Sequence, residues 1–245
     1  YRQNMCLNYN LYLRINKSKN MKTTLLALLL IFCITISLNS QTVWEDKVEI
    51  DGATGNNPYT IASGLIDADT NLDILIGTDA DHIIVWYKGN GDGTFVKQTP
   101  ITNSLINIGG IKLVDLNNDG NNDILASGFG SYAGATYGVG SKLVWFAGDG
   151  LGGFGMEQLI TGAYDGLSGL FVGTIDTGTT PDIAITSSVN NKVIWFSNDG
   201  FGDFTLAATP IDNTLSAPGL INMKDIDNDG DLDALVGTAV YAGDV

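Results

Sequence analysis

Nine residues, Asp225-Ile-Asp-Asn-Asp-Gly-Asp-Leu-Asp233, constrain this chain more than any other stretch. Carboxylates stand at places one, three, five, seven and nine, and Gly230 stands at place six. Alternate oxygen ligands closing on one point, with a glycine where the backbone bends sharply, are what a hard cation such as Ca²⁺ requires. Without a cation, so many aspartates in so short a loop repel one another. The device recurs at Asp115-Leu-Asn-Asn-Asp-Gly-Asn-Asn-Asp123, with Asn117 and Asn121 as neutral variants. The flanks set the kind of loop. An EF-hand has helices on both sides and a bidentate Glu at place twelve, where this chain has Ala126 and Val236. Short apolar runs ended by turn residues follow, Asp123–Gly128 and Asp233–Thr238, and these read as strands. Each loop therefore joins two strands.

Aligning the loops aligns four such strands, the other two being Asp73–Thr78 and Asp182–Ser187. Three of them lead to an aromatic strand: Ile83-Ile-Val-Trp-Tyr87, Lys142-Leu-Val-Trp-Phe146 and Lys192-Val-Ile-Trp-Phe196. Each aromatic strand ends in an Asp-Gly turn (92–93, 149–150, 199–200) that runs into Phe95, Phe154 or Phe204, and hairpin chemistry accounts for those turns. Trp44 holds the matching place before the first unit, and an insertion at 129–140 lengthens the second. Four short antiparallel strands per unit of about fifty residues is the pattern of a β-propeller blade. The expected fold is all-β, a propeller of four-stranded blades with about three and a half blades present. The units run over about 43–95, 96–154, 155–204 and 205–245. An incomplete ring has two open sheet edges, so the sequence is expected to be a piece of a longer protein.

These residues resemble the FG-GAP/VCBS repeat, the calcium-loop blade also found in the integrin α-subunit head. The resemblance covers roughly 43–245. It implies that the loop joins the two inner strands of a blade. It implies a Ca²⁺ ligand set of Asp225, Asp227, Asp229 and Asp233 with the carbonyl of Asp231, and of Asp115, Asn117, Asp119 and Asp123 with the carbonyl of Asn121. Units one and three depart from it. Counted from the first aspartate, Asp67–Asp73 and Asp176–Asp182 are two residues shorter than the full loop. Asp67, Asp69, Asn71 and Asp73 are weaker metal candidates, whereas Asp176–Asp182 keeps only its end aspartates and reads as an ordinary turn.

The N-terminal segment sets the expected compartment. Residues 1–20 carry four basic residues, no acid and no repeat pattern, and read as an unstructured leader. Met21-Lys22 followed by the apolar Leu25–Leu38 and the small, polar 39–41 reads as a signal peptide over 21–40, too short for a membrane span. Both cysteines, Cys6 and Cys33, lie before residue 41, so a cleaved chain has no disulfide and no thiol nucleophile. Such a chain keeps seven Lys/Arg against 27 Asp/Glu, a net charge of −20. That balance disfavours nucleic acid and anionic membranes and favours cations. Rigidity without disulfides then falls to bound Ca²⁺.

Little here points to catalysis. Residues 41–245 hold three glutamates and one histidine, His82, with no nucleophile–base pattern. Trp86, Trp145 and Trp195 recur at one place per unit, as packing between blades requires. The expectation is a secreted or cell-surface module that binds an extracellular protein or polysaccharide and does not insert into the membrane. The alternative is the propeller portion of a secreted polysaccharide-degrading enzyme, since abundant aspartates leave a paired-carboxylate glycosidase open.

Overall fold

The computed structural model describes residues 11–13, 47–134 and 137–238. The signal-peptide segment 21–40 and Trp44 lie outside them. Within the described residues the chain is a row of antiparallel sheets following one another along the sequence. The first blade holds β3 (Pro58–Gly64), β4 (Asp73–Thr78), β5 (Ile84–Gly89) and β6 (Phe95–Lys97) in sheet order 3-4-5-6. The second holds β7 (Ile108–Val114), β8 (Asp123–Gly128), β9 (Lys142–Phe146) and β10 (Gln158–Thr161) in the same up-and-down order. The third holds β11 (Leu167–Gly173), β12 (Asp182–Ser187), β13 (Lys192–Asn198) and β14 (Phe204–Leu206). A fourth sheet shows two strands, β15 (Pro218–Lys224) and β16 (Asp233–Thr238). These are blades of an incomplete β-propeller, as the strand pattern in the sequence predicts.

The first strand of every blade shifts register just after its first pair, between Pro58/Thr60, Ile108/Gly110, Leu167/Leu170 and Pro218/Leu220. Such bulges increase the local twist of a strand. The second strands β4, β8 and β12 are buried at all six positions, because each faces a neighbouring sheet on either side and alternate residues serve opposite neighbours. Thus Leu75, Ile84 and Trp86 of blade one pack with Ile108, Ile111, Ile124, Val144 and Phe146 of blade two. Leu125, Leu143 and Trp145 of blade two in turn pack with Leu170, Ile183, Ile194 and Phe196 of blade three. The hydrophobic core therefore lies between blades. Trp86 and Trp145 are buried there, and Trp145 meets Phe204 edge to face at 6.2 Å between ring centroids. Leu235 of blade four is 65% exposed where its equivalents Leu75 and Leu125 are 0% exposed.

The fourth strand is divided. Phe95 and Phe204 open β6 and β14, but Phe154 makes only an isolated bridge with Gly148, and β10 starts four residues later. In blades one and three the later part is the single bridge Ile84↔Thr102 or Val193↔Asp212. Pro100 and Pro210 lie just before it, and proline cannot donate to a ladder. Blade two has no proline there, so β10 extends. Ahead of blade one, β2 (Val48–Asp51) pairs with β1 (Leu11–Leu13). The reading of 1–20 as wholly without structure therefore does not hold for Leu11–Leu13, whose backbone covers the open edge of β2.

Candidate metal centre

Every loop between first and second strands is held by one aspartate at the start of the second strand. Asp123 is wholly buried; its Oδ2 accepts the Leu116 N–H at 2.8 Å and its Oδ1 the Gly148 N–H at 2.9 Å. Asp73 does the same with Ile66 N–H at 2.9 Å and Gly89 N–H at 2.8 Å. Asp182 accepts from Ile175 at 2.8 Å, Asp176 at 3.1 Å and Asn198 at 3.0 Å. Asp233 accepts from Ile226 at 2.9 Å. In the first three blades this residue thus ties the loop to the strand beyond it, and it does so in blade three where Thr174 and Gly178 stand in place of acids. Burial pushes the Asp123 carboxyl above the usual carboxylate range; the Gly148 and Leu116 N–H groups oppose that, while Asp119 and Asp115 add to it. A cation beside it would offset both the burial and the repulsion.

The loops Asp115–Asp123 and Asp225–Asp233 share one conformation. Asp115 accepts from Asp119 N–H at 3.3 Å and Gly120 N–H at 2.9 Å, and Asp225 accepts from Asp229 N–H at 3.2 Å and Gly230 N–H at 3.1 Å. Asn117 and Asp227 each accept from the place-five N–H, at 3.0 and 3.2 Å, and Asp119 and Asp229 from the place-seven N–H, at 2.8 and 3.0 Å. Place four is left-handed in both, at φ 57° for Asn118 and 63° for Asn228, and so is place six, at φ 88° for Gly120 and 99° for Gly230. Asparagine and glycine are the residues that accept such backbone. The result curls the odd-numbered side chains toward one another.

The convergence is tight enough for one ion. Asp225, Asp227 and Asp229 each offer an oxygen, and the three lie within 4.8 Å of one another. Oxygens bonded to Ca²⁺ at about 2.4 Å are separated by at most about twice that distance. All-oxygen donors on an exposed loop suit a hard cation. The triad therefore fits Ca²⁺; Asp231 and Asp233 are not in the 4.8 Å cluster, and Asp233 Oδ2 accepts the Ile226 N–H. Asp115, Asn117 and Asp119 occupy the corresponding positions in blade two, followed by Asn121 and Asp123, with two amides, Asn117 and Asn121, in place of carboxylates.

Blades one and three correct the loop count made from the sequence. The pairs Gly64↔Asp73, Val114↔Asp123, Gly173↔Asp182 and Lys224↔Asp233 close all four loops at the same length. Nothing is deleted. Asp67 stands at place three, equivalent to Asn117, and place one is Leu65 in blade one and Thr174 in blade three. The first visible aspartate misled the count because the fixed point is the last one. Asp69 and Asn71 keep places five and seven, with Asp69 N–H on Asp67 at 3.0 Å and Asn71 N–H on Asp69 at 2.8 Å.

Three asparagines that the ligand pattern did not single out place the Asp115–Asp123 loop at the seam between blades. Asn198 Nδ2 of blade three donates to Leu116 O at 2.9 Å, and Asn118 Nδ2 donates to Gly200 O at 3.2 Å. On the other side Asn122 Nδ2 donates to Leu65 O of blade one at 2.9 Å. One loop therefore touches both neighbouring blades. At the opposite end of blade two, the 129–140 insertion gathers Phe129, Tyr132 and Tyr137, with ring centroids 4.8 to 6.2 Å apart. Burial and the neighbouring Asp79 carboxylate and Tyr59 push the Tyr132 phenol upward.

Residues 66–126, which run from the first loop through the second strand of blade two, match the family described as FG-GAP-like repeat. No curated protein matches the chain. No helix among the described residues is long and apolar enough to cross a membrane. The matched stretch spans one full loop, the Trp strand and the seam between two blades, and its geometry recurs in the third and fourth sheets: residues 66–126 are similar to an FG-GAP-like repeat, set in a row of β-propeller blades.

Proposed function

We propose that this protein is a secreted, calcium-binding β-propeller module that binds an extracellular protein or polysaccharide. The observation that carries the reading is the Asp225–Asp227–Asp229 oxygen cluster, matched in chemistry by the Asp115–Asn117–Asp119 loop at the blade seam. Repeats of this family often bind Ca²⁺ and are typically extracellular. Bound Ca²⁺ neutralises acids that otherwise repel, and because loop 115–123 is bonded to both neighbouring blades, the ion stiffens the arc. The chain's own part is to supply the oxygens, curl them inward and hold the loop with Asp123 and Asp233. A rigid scaffold positions surface loops for contact. The surface assigned to contact is the ledge of Tyr59, Tyr132 and Tyr137, which are 63, 49 and 39% exposed. Tyrosine joins a flat apolar face to a polar tip and is enriched at recognition surfaces.

The test is binding of the protein to glycan arrays and to extracellular matrix proteins, in millimolar Ca²⁺ and in chelator. Binding that Tyr132→Ala and Tyr137→Ala abolish, while the Ca²⁺-dependent rise in melting temperature survives, supports the reading. Binding unchanged in both variants refutes the assigned surface, and no Ca²⁺-dependent rise refutes the metal.

A further inference from the structure

Blade one departs from the full loops in a way that ligand loss alone does not explain. Its place-one residue is Leu65, yet Asp67, Asp69 and Asp73 remain at places three, five and nine. These acids do not face one another uncompensated. The Lys88 ammonium ion-pairs with Asp67, whose side chain is only 9% exposed, and with Asp69 Oδ2 at 3.0 Å. The electrostatics agree: the bonds to Asp67 and then Asp69 push the Lys88 ammonium upward, and the Asn71 N–H and then Lys88 hold the Asp69 carboxyl below its usual range.

Lys88 reaches this position through strand register. It precedes Gly89, whose N–H donates to Asp73 at 2.8 Å. The corresponding residues are Ala147, before Gly148, and Ser197, before Asn198. The strand that receives the aspartate of its own blade thus also presents residue 88 to the loop, and in blade one alone of these three that residue is cationic. An ammonium has three donors to satisfy, against the six to eight oxygens of Ca²⁺, so a loop without its place-one carboxylate can still hold it. The backbone has adjusted accordingly. Ala68 and Thr70 stand where Asn118 and Gly120 are left-handed in blade two, and neither has a positive φ.

We propose that Lys88 is the resident cation of blade one: its ammonium takes the role that Ca²⁺ has in loops 115–123 and 225–233, and it keeps divalent ions out of loop 67–73. The contrast rests on the calcium reading of those two loops, but the role of Lys88 itself does not. A metal-independent first blade beside calcium-dependent ones follows.

The experiment compares wild-type, Lys88→Met and Lys88→Arg protein by differential scanning calorimetry in chelator and in about 5–10 mM Ca²⁺, roughly 15–30 times a mid-range extracellular-module Kd. In chelator, Lys88→Met is expected to melt about 2–4 °C below wild type and Lys88→Arg close to it. Ca²⁺ is expected to raise the melting temperature of Lys88→Met by more than that of wild type, because loop 67–73 has become available. Equal melting of Lys88→Met and wild type in chelator overturns the proposal, as does an equal response of the two to Ca²⁺. If wild type shows no calcium response, the reading of the other two loops fails, and the comparison in chelator still decides the role of Lys88.

Discussion

Replacing Asp182 by alanine separates the fold of these loops from the metal chemistry proposed for two of them. Asp182 is 0% exposed and stands in the blade-three loop, where Thr174 and Gly178 occupy the places of ligands. Under a purely metal-binding account its removal would cost nothing. The structure requires the opposite, since its carboxylate accepts the N–H groups of Ile175, Asp176 and Asn198 at 2.8, 3.1 and 3.0 Å. A buried donor left without a partner costs about 1–3 kcal/mol. Removing the buried anion's own desolvation penalty and admitting water offset part of that sum. The net loss expected is about 2–4 kcal/mol, or roughly 5–12 °C in a chain of this size. Calorimetry should show this loss equally in Ca²⁺ and in chelator. Asp176→Ala in the same loop, which removes one exposed bond to Gly178 N–H at 2.6 Å, should cost less than about 1 kcal/mol. Equal, negligible shifts for both variants would refute the structural role of the last aspartate.

The core between blades makes Trp145→Ala costly. Trp145 is buried against blade three and Phe204, so a loss of about 3–5 kcal/mol is expected in urea denaturation. Gly169→Ala should cost about 1–3 kcal/mol, because a Cβ there would lie 2.5 Å from Gly219 O and 2.9 Å from Ile221 N of blade four; near-neutral melting would show that blades three and four do not approach so closely. Burial by itself would raise the Asp51 carboxyl, but bonds from Tyr87 Oη, the Ala53 N–H and Lys97 Nζ hold it below its usual 3.8. A lowered carboxylate stabilises the fold above its unfolded value and loses that contribution as pH falls through the folded one. Tyr87→Phe, which deletes the 2.8 Å bond to Asp51, should therefore lower stability by about 1.5–3 kcal/mol at pH 7 and by less near pH 3. A pH-independent difference would contradict the assignment.

The blade pattern was legible because its signals are local. Short apolar runs before Asp-Gly turns, and a tryptophan strand past each of the first three loops, specify strands and hairpins without tertiary help. The convergence of Asp225, Asp227 and Asp229 was legible for the same reason, since they sit two residues apart on one curl. Loop register was not. Asp67 looks like a first ligand, and only the bonds from Ile66 and Gly89 to Asp73 show that the loop is counted from its end. Lys88 was hidden by its sequence separation of 21 residues from Asp67, although lining it up with Ala147 and Ser197 in the Trp strands would have marked it. Asn118, Asn122 and Asn198 occupy turn positions in the sequence, so their bonds across the seam were masked by a sufficient local reason for their presence. The pairing of Leu11–Leu13 with β2 joins segments that share no repeat and left no pattern to read.

Titration calorimetry of Ca²⁺ into metal-free protein tests the central claim most directly. The account predicts two bound ions with Kd near 10⁻⁴–10⁻³ M, as roughly expected of extracellular modules, each adding about 1.4 kcal/mol of stability at ten times its Kd. Asp229→Ala should remove one site and Asp119→Ala the other. No saturable heat at millimolar Ca²⁺, or two sites that persist in both variants, would contradict it.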